Sequence, residues 1–239
     1  MATYTNEMYY QDMNKIMYSP YFRAMASRQH SVGTITQDSL LWSKKRMAEK
    51  IYENLGGKGT NYLEVLLYAS ALATPPFGHG GAEVLKEKYG YDKNSYTLKI
   101  AKQLGLDDEA IADLDKTSSQ GSIQGGVVQA LDVLLDKRVG VTPEMEKEII
   151  EDITATTKKR VSVSRELYDR LTVFTPSALQ VAAIAGQKEA MERAIKCLEE
   201  QDIPEFQEEP ILYILKQKET RMLDLQKKNN LNIQSSPKR

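Results

Sequence analysis

The segment Leu63 to Ala73 carries apolar residues on most helical faces and then stops at Pro75-Pro76. A helix apolar nearly all round must be covered on all sides, which calls for other helices packed around it. Proline removes the backbone N–H and restricts the residue before it, so this helix cannot run on. Asn61 stands three residues before Glu64, the spacing of a capping box, and is the expected N-cap. The same periodicity recurs along the chain. From Asp38, the residues Leu40, Leu41, Met47, Ala48, Ile51 and Leu55 repeat at helical spacing until Gly56-Gly57.

Further helices are expected over Asn94–Leu104, closed by Gly105, and over Asp107–Leu114 and Val127–Leu135. Thr117–Gly126 reads as a polar, glycine-rich loop or irregular helix start. Thr142-Pro143 and Thr175-Pro176 each pair an N-cap residue with proline at the first helical position. Gln187–Glu200 is amphipathic, and one last helix is expected from Pro210 to about Lys228. The polar tail 229–239 should fray. No strand series appears; Val161-Ser-Val163 stands alone. The expected fold class is all-α: a helical core over 1–136, a helical extension over 137–228 packed on it, and the flexible tail.

With 239 residues, 41% of them hydrophobic, the chain can bury a substantial core. Lys+Arg total 32 against 33 Asp+Glu, a net charge of −1 that argues against a nucleic-acid coat. One cysteine, Cys197, excludes a disulfide framework within the chain, and with only two histidines a Cys/His zinc site is all but excluded. No apolar run reaches the ~20 residues of a membrane span. The first residues, MATYTNEMYYQDMNK, lack the blocks of a signal peptide. A soluble, cytoplasmic protein without membrane association is the expectation.

The string Ala69-Ser-Ala-Leu-Ala-Thr-Pro-Pro-Phe-Gly-His-Gly-Gly81 is the most specific in the chain. Its glycines would let backbone approach a ligand closely, and His79 stands at a helix mouth. The alternative is a rigid helix–helix corner. The string resembles the central motif of the deoxyguanosine triphosphate triphosphohydrolases (dGTPases), a branch of the HD-domain phosphohydrolases, which runs Ala-His-Asp-apolar-Gly-His-Pro-Pro-Phe-Gly-His-x-Gly-Glu. Upstream, Asp12 to Arg23 resembles the family's opening helix, and Gln37-Asp-Ser-Leu40 its Thr-His-Ser-Leu. Downstream, Tyr91 to Lys99 resembles Phe-Glu-His-Asn-Ala-Gln-Ser-Leu-Arg. More weakly, Ser122–Leu134 follows the segment with the family's last metal-binding aspartate. The likeness covers residues 10–136 and implies an HD-domain-like helical fold.

What the resemblance implies for chemistry turns on the departures. Family members hold a divalent metal through His, His-Asp and a later Asp, and the metal activates water and polarises phosphate. Here those positions carry Asp38, Ser70, Ala71 and Gln129. One carboxylate and two neutral oxygens cannot replace that set, so neither a metal nor another cofactor is expected. The second motif histidine is Thr74, the motif-ending glutamate is Ala82 and a downstream histidine is Lys93. Only His79 keeps a position catalytic in the family.

The resemblance therefore implies a pseudoenzyme whose nucleotide-binding candidates are Arg23, Gln29, Asp38, His79, Lys93 and Asn94. Its implied partners are a deoxynucleotide and either further copies of the chain or an active relative in an oligomer; nucleic acid is not expected. Two alternatives stand beside this reading. One is a weaker Mg²⁺-dependent phosphohydrolase using Asp38, His79, Glu83 and Asp132. The other is an oligomeric scaffold that docks through the apolar stripe of Ile211–Leu225. Lys44-Lys45-Arg46 and Lys158-Lys159-Arg160 read as solvated faces, and the Gly56–Thr60 turn lacks P-loop spacing. Tyr9, Tyr10, Tyr18 and Tyr21 suit base stacking or a packed corner equally, and Cys197 reads as core.

Overall fold

The computed structural model describes residues 4–28, 36–115, 121–135, 142–159, 167–169 and 178–235. Among these the chain forms helices and no strand, as the all-α expectation requires. The principal helices are α1 (Asn6–Met17), α2 (Pro20–Met25), α3 (Gln37–Asn54), α4 (Asn61–Ser70), α5 (Gly78–Tyr89), α6 (Lys93–Gln103) and α7 (Asp108–Leu114). They continue with α8 (Ile123–Leu135), α9 (Pro143–Lys159), α10 (Ala178–Glu199), α11 (Pro204–Glu208), α12 (Pro210–Leu215) and α13 (Glu219–Ser235). No helix among the described residues is long and apolar enough to cross a membrane.

The chain packs as two compact units, each built from three stretches of sequence. The first comprises Met1–Ser19, Asp38–Ala73 and Lys93–Thr175; the second comprises Pro20–Gln37, Thr74–Asp92 and Pro176–Arg239. The boundary read from the sequence at 136/137 lies inside the third stretch of the first unit.

In the first unit α4 is the central element and packs against α1, α6, α7 and α8. Leu63, Val65, Leu66, Leu67 and Ala69 are all buried, as its broad apolar surface demands. The amphipathic α3 adds Leu41, Met47, Ala48 and Ile51, and α8 adds Val127, Leu131 and Leu134. Several ends form as their chemistry dictates. Asp107 accepts from the N–H of Glu109 at 2.8 Å to start α7, and Thr142 Oγ1 accepts from the N–H of Met145 at 3.3 Å to start α9. Gly105, at φ +63°, closes α6 in a conformation that disfavours other residues. Thr175-Pro176 and Val161–Val163 lie outside the described residues.

The expected capping box at Asn61 is not formed. Thr60 is the N-cap of α4 and makes no side-chain cap bond. The Asn61 amide instead donates to Asn6 Oδ1 at 3.0 Å. Glu64 accepts from the Tyr9 hydroxyl at 3.0 Å and from Lys45 Nζ at 2.7 Å. A lysine and a phenol outcompete a backbone N–H for that carboxylate.

In the second unit α10 packs along α5 and also against α13, while α12 packs against α2 and α5. Cys197 is buried on α10, as expected for a core residue. The single helix expected from Pro210 is two helices, broken over residues 216–218. The carbonyls of Leu215 and Gln217 at this break accept from the Arg28 guanidinium at 2.7 and 3.0 Å, which gives the interruption its physical reason. The last helix also runs on to Ser235, past the point where fraying was expected from polar composition. Extending a nucleated helix costs little per residue even where side chains are polar.

Candidate functional site

The turn between α4 and α5 carries the motif. Pro75-Pro76 lead into Phe77, whose backbone is left-handed at φ +59°, followed by Gly78 at φ +54°. A non-glycine residue in that region stores about 1–3 kcal/mol of strain. The Phe77 ring is buried, and its packing holds the conformation. His79 then occupies the first turn of α5, half-buried.

Gly80 and Gly81 admit backbone, but the backbone belongs to this chain. A Cβ at Gly80 would lie 2.5 Å from the Ile184 carbonyl oxygen and 2.8 Å from the Lys188 nitrogen, both in α10. A Cβ at Gly81 would lie 2.0 Å from the Pro76 carbonyl oxygen. The Gly80 N–H donates to Gln187 Oε1 at 3.1 Å, so one of the free donors at the start of α5 is answered by α10. Beside it Lys188 pairs with Glu83. Gly80, expected to admit a ligand, therefore admits α10, and Gly81 admits the carbonyl of Pro76 in its own turn, as the rigid-corner alternative has it.

The nominated binding residues divide between the units. Arg23, exposed on α2, and His79 belong to the second. Asp38, exposed in the first turn of α3, belongs to the first, as do Lys93 and Asn94, half-buried at the start of α6. Gln29 and His30 lie outside the described residues.

The positions matching the family's metal ligands have other occupations. The buried Ser70 hydroxyl donates to the Leu67 carbonyl within its own helix at 2.9 Å. Ala71 is buried and has no ligand atom. Gln129 Nε2 donates to the Asp113 carbonyl at 3.0 Å, covering the end of α7. Among the described residues no group of three or more His, Cys, Asp or Glu side chains could hold a metal ion. These residues do not fit a divalent metal held in the family's manner.

The carboxylates nearby serve structure. Asp113 is buried and accepts from the Ser122 N–H at 2.6 Å, the Tyr62 hydroxyl at 2.7 Å and the Ser122 hydroxyl at 2.5 Å. Ser122 Oγ in turn accepts from the Gly125 N–H at 3.0 Å, capping α8. Burial, then the hydrogen bond to Asp113 and the charge of that carboxylate, raises the Tyr62 phenol well above its ordinary range. In α1, Asp12 accepts from the Tyr4 hydroxyl and from Lys15 Nζ, each at 2.9 Å.

Of Lys44-Lys45-Arg46, expected as a solvated face, only Arg46 is exposed; Lys45 is half-buried and Lys44 is buried. Lys44 is 5% exposed and its Nζ lies 2.6 Å from Oδ1 of the buried Asp132. Lys45 pairs with Glu64, and Arg46 pairs with Glu146 at 2.5 Å while lying over the Trp42 ring. The reason is angular. Lys44 stands three residues after Leu41 and four before Ala48, on the buried stripe of α3. By contrast Lys158 and Lys159 are exposed as expected. The tyrosine-rich start divides likewise: Tyr21 is buried, whereas Tyr10 and Tyr18 are 65% and 69% exposed.

Sequence reading missed Arg28, Asp113 and Asp12. Asp12 could have been found from its i,i+3 spacing to Lys15; Arg28 has no local signal.

Three tyrosines give a pH dependence. Tyr9, Tyr21 and Tyr89 are each pushed up to about 12 by burial, with added effects of Glu64, Glu209 and Glu199 respectively. The folded chain keeps these protons where the unfolded chain loses them, so stability falls between about pH 10 and 12. The urea midpoint should be lower at pH 11 than at pH 9, and part of the tyrosinate absorbance should rise late. A single titration near pH 10 with an unchanged midpoint would refute this.

No protein-family model matches the chain, and no curated protein matches it significantly.

Proposed function

We propose that this chain is a catalytically silent, dGTPase-like HD-domain protein that binds a deoxynucleotide without hydrolysing it. The observation that carries the reading is the fate of the metal-ligand positions. Asp38, Ser70, Ala71 and Gln129 stand there, and Ser70 and Gln129 have their side chains bonded to backbone carbonyls. Without the metal the family's hydrolysis has no activated water. Within the second unit Arg23 and His79 keep a cationic and a hydrogen-bonding group suited to phosphate. The weaker Mg²⁺-dependent phosphohydrolase is the poorer reading, because Asp132 is bound to Lys44 and Glu83 to Lys188.

Isothermal titration with each dNTP and NTP, paired with product analysis, tests the proposal. Binding heat with at least one nucleotide and no phosphate release is expected. Arg23→Ala should weaken that binding by about 10-fold, the worth of one charge-assisted contact. Absence of heat with every nucleotide removes the binding role; turnover removes the silence.

A second reading, an oligomeric partner or regulator of an active relative, is favoured by the exposed aromatic residues of the first unit. Tyr10, Tyr18 and Trp42 each present more than half their surface to solvent. Large exposed aromatics are common at protein interfaces. A monomer by light scattering, with and without such a relative, would count against it.

A further inference from the structure

Arg28 is fully buried, and nothing in its local sequence asks for an arginine. Its main chain is held at both ends of a turn: its N–H donates to the Met25 carbonyl, and its carbonyl accepts from the Gln37 N–H, each at 2.9 Å. Its side chain reaches two places far apart in sequence. Nη1 donates to the Thr74 carbonyl, immediately before Pro75-Pro76. Nη2 donates to the carbonyls of Leu215 and Gln217 at the α12–α13 break. Nε finds no acceptor among the described residues, so the two terminal nitrogens carry the whole attachment.

We propose that Arg28 is an internal guanidinium ligand that clamps the glycine-rich turn to the α12–α13 break and makes the two one cooperative element. All of these residues belong to the second unit. A buried guanidinium is costly unless its donors are answered, and carbonyls at a broken helix are costly unless something covers them. Each solves the other's problem. Planar, spread-out donors let one arginine meet three carbonyls at once, which the single point charge of lysine does less well. Burial lowers Arg28 to about 10, opposed by the charge of Glu219 in the first turn of α13, so it is cationic at neutral pH. The C-terminal helices are thereby required by the motif turn. This holds whether or not a nucleotide binds.

Hydrogen–deuterium exchange on the full chain reads the clamp directly. In Arg28→Ala, amides of residues 78–85 and 211–217 should lose protection together, by about 100-fold for several unanswered carbonyls. Millimolar methylguanidinium should restore both regions, and methylammonium at the same concentration should not. Amides of α3 in the first unit should be unchanged. Loss of protection in one region alone, or rescue of one alone, would overturn the proposal. If Arg28→Ala does not fold, the wild-type chain decides: in sub-denaturing urea the two regions should open in one step with one slope, and separate openings would overturn it.

Discussion

Lys44→Met should lower the unfolding free energy of the protein by about 3–5 kcal/mol, the cost of breaking a buried ion pair by removing one of its members. Lys44 and Asp132 are 6% and 2% exposed at their side chains and meet at 2.6 Å. Methionine fills most of the lysine's volume, so the loss reads the charge and not a cavity. The double variant Lys44→Met/Asp132→Leu should recover most of it, because replacing a whole buried ion pair by apolar groups is often neutral or stabilising. Urea unfolding of the wild type, both single variants and the double variant forms the cycle that measures this. A cost below about 1 kcal/mol for Lys44→Met would mean that the pair behaves as a solvated one.

Gly80→Ala is expected to cost about 3 kcal/mol, at the upper end of ordinary overpacking, for the addition of one methyl group. The methyl would meet main-chain atoms of α10 at 2.5 and 2.8 Å, and main chain cannot rotate aside as a side chain can. Moving α10 would also lengthen the Gly80–Gln187 hydrogen bond. Gly126→Ala provides the contrast. It lies on the exposed side of α8 with nothing within 4 Å of an added Cβ. There alanine should stabilise by about 0.5–1 kcal/mol through helix propensity. Thermal melts of the two variants should move in opposite directions; equal shifts would show that close approach of α10 is not what Gly80 provides.

These two sites show where local reading succeeds and where it stops. Helix ends set by proline and glycine were legible: Gly56-Gly57 after α3, Gly105 after α6 and Thr142-Pro143 before α9 act within a few residues. Choices between competing partners were not. Glu64 could cap its own helix or bind Lys45 and Tyr9, and the choice depends on side chains brought in from α1 and α3. Lys44 was legible in principle from its place on the buried stripe of α3, but three basic residues in a row disguise it. The break after Leu215 was invisible, since its cause lies 187 residues away in Arg28. The glycine-rich motif was the hardest case: the same absent side chains serve a ligand or a neighbouring helix, and Gln187 stands 107 residues from Gly80.

The alternation of chain between the two units bears on how the protein is made. A ribosome releases the polypeptide from its first residue onward. The second unit receives α2 and α5 early, but α10 to α13 only after α6 to α9 of the first unit have been made. Until then Gly80 has no helix to meet and Arg28 no carbonyls at Leu215 and Gln217. A nascent chain halted before residue 210 should therefore leave this half protease-sensitive however far the other half has matured, and no contiguous cut of the gene can deliver either half alone.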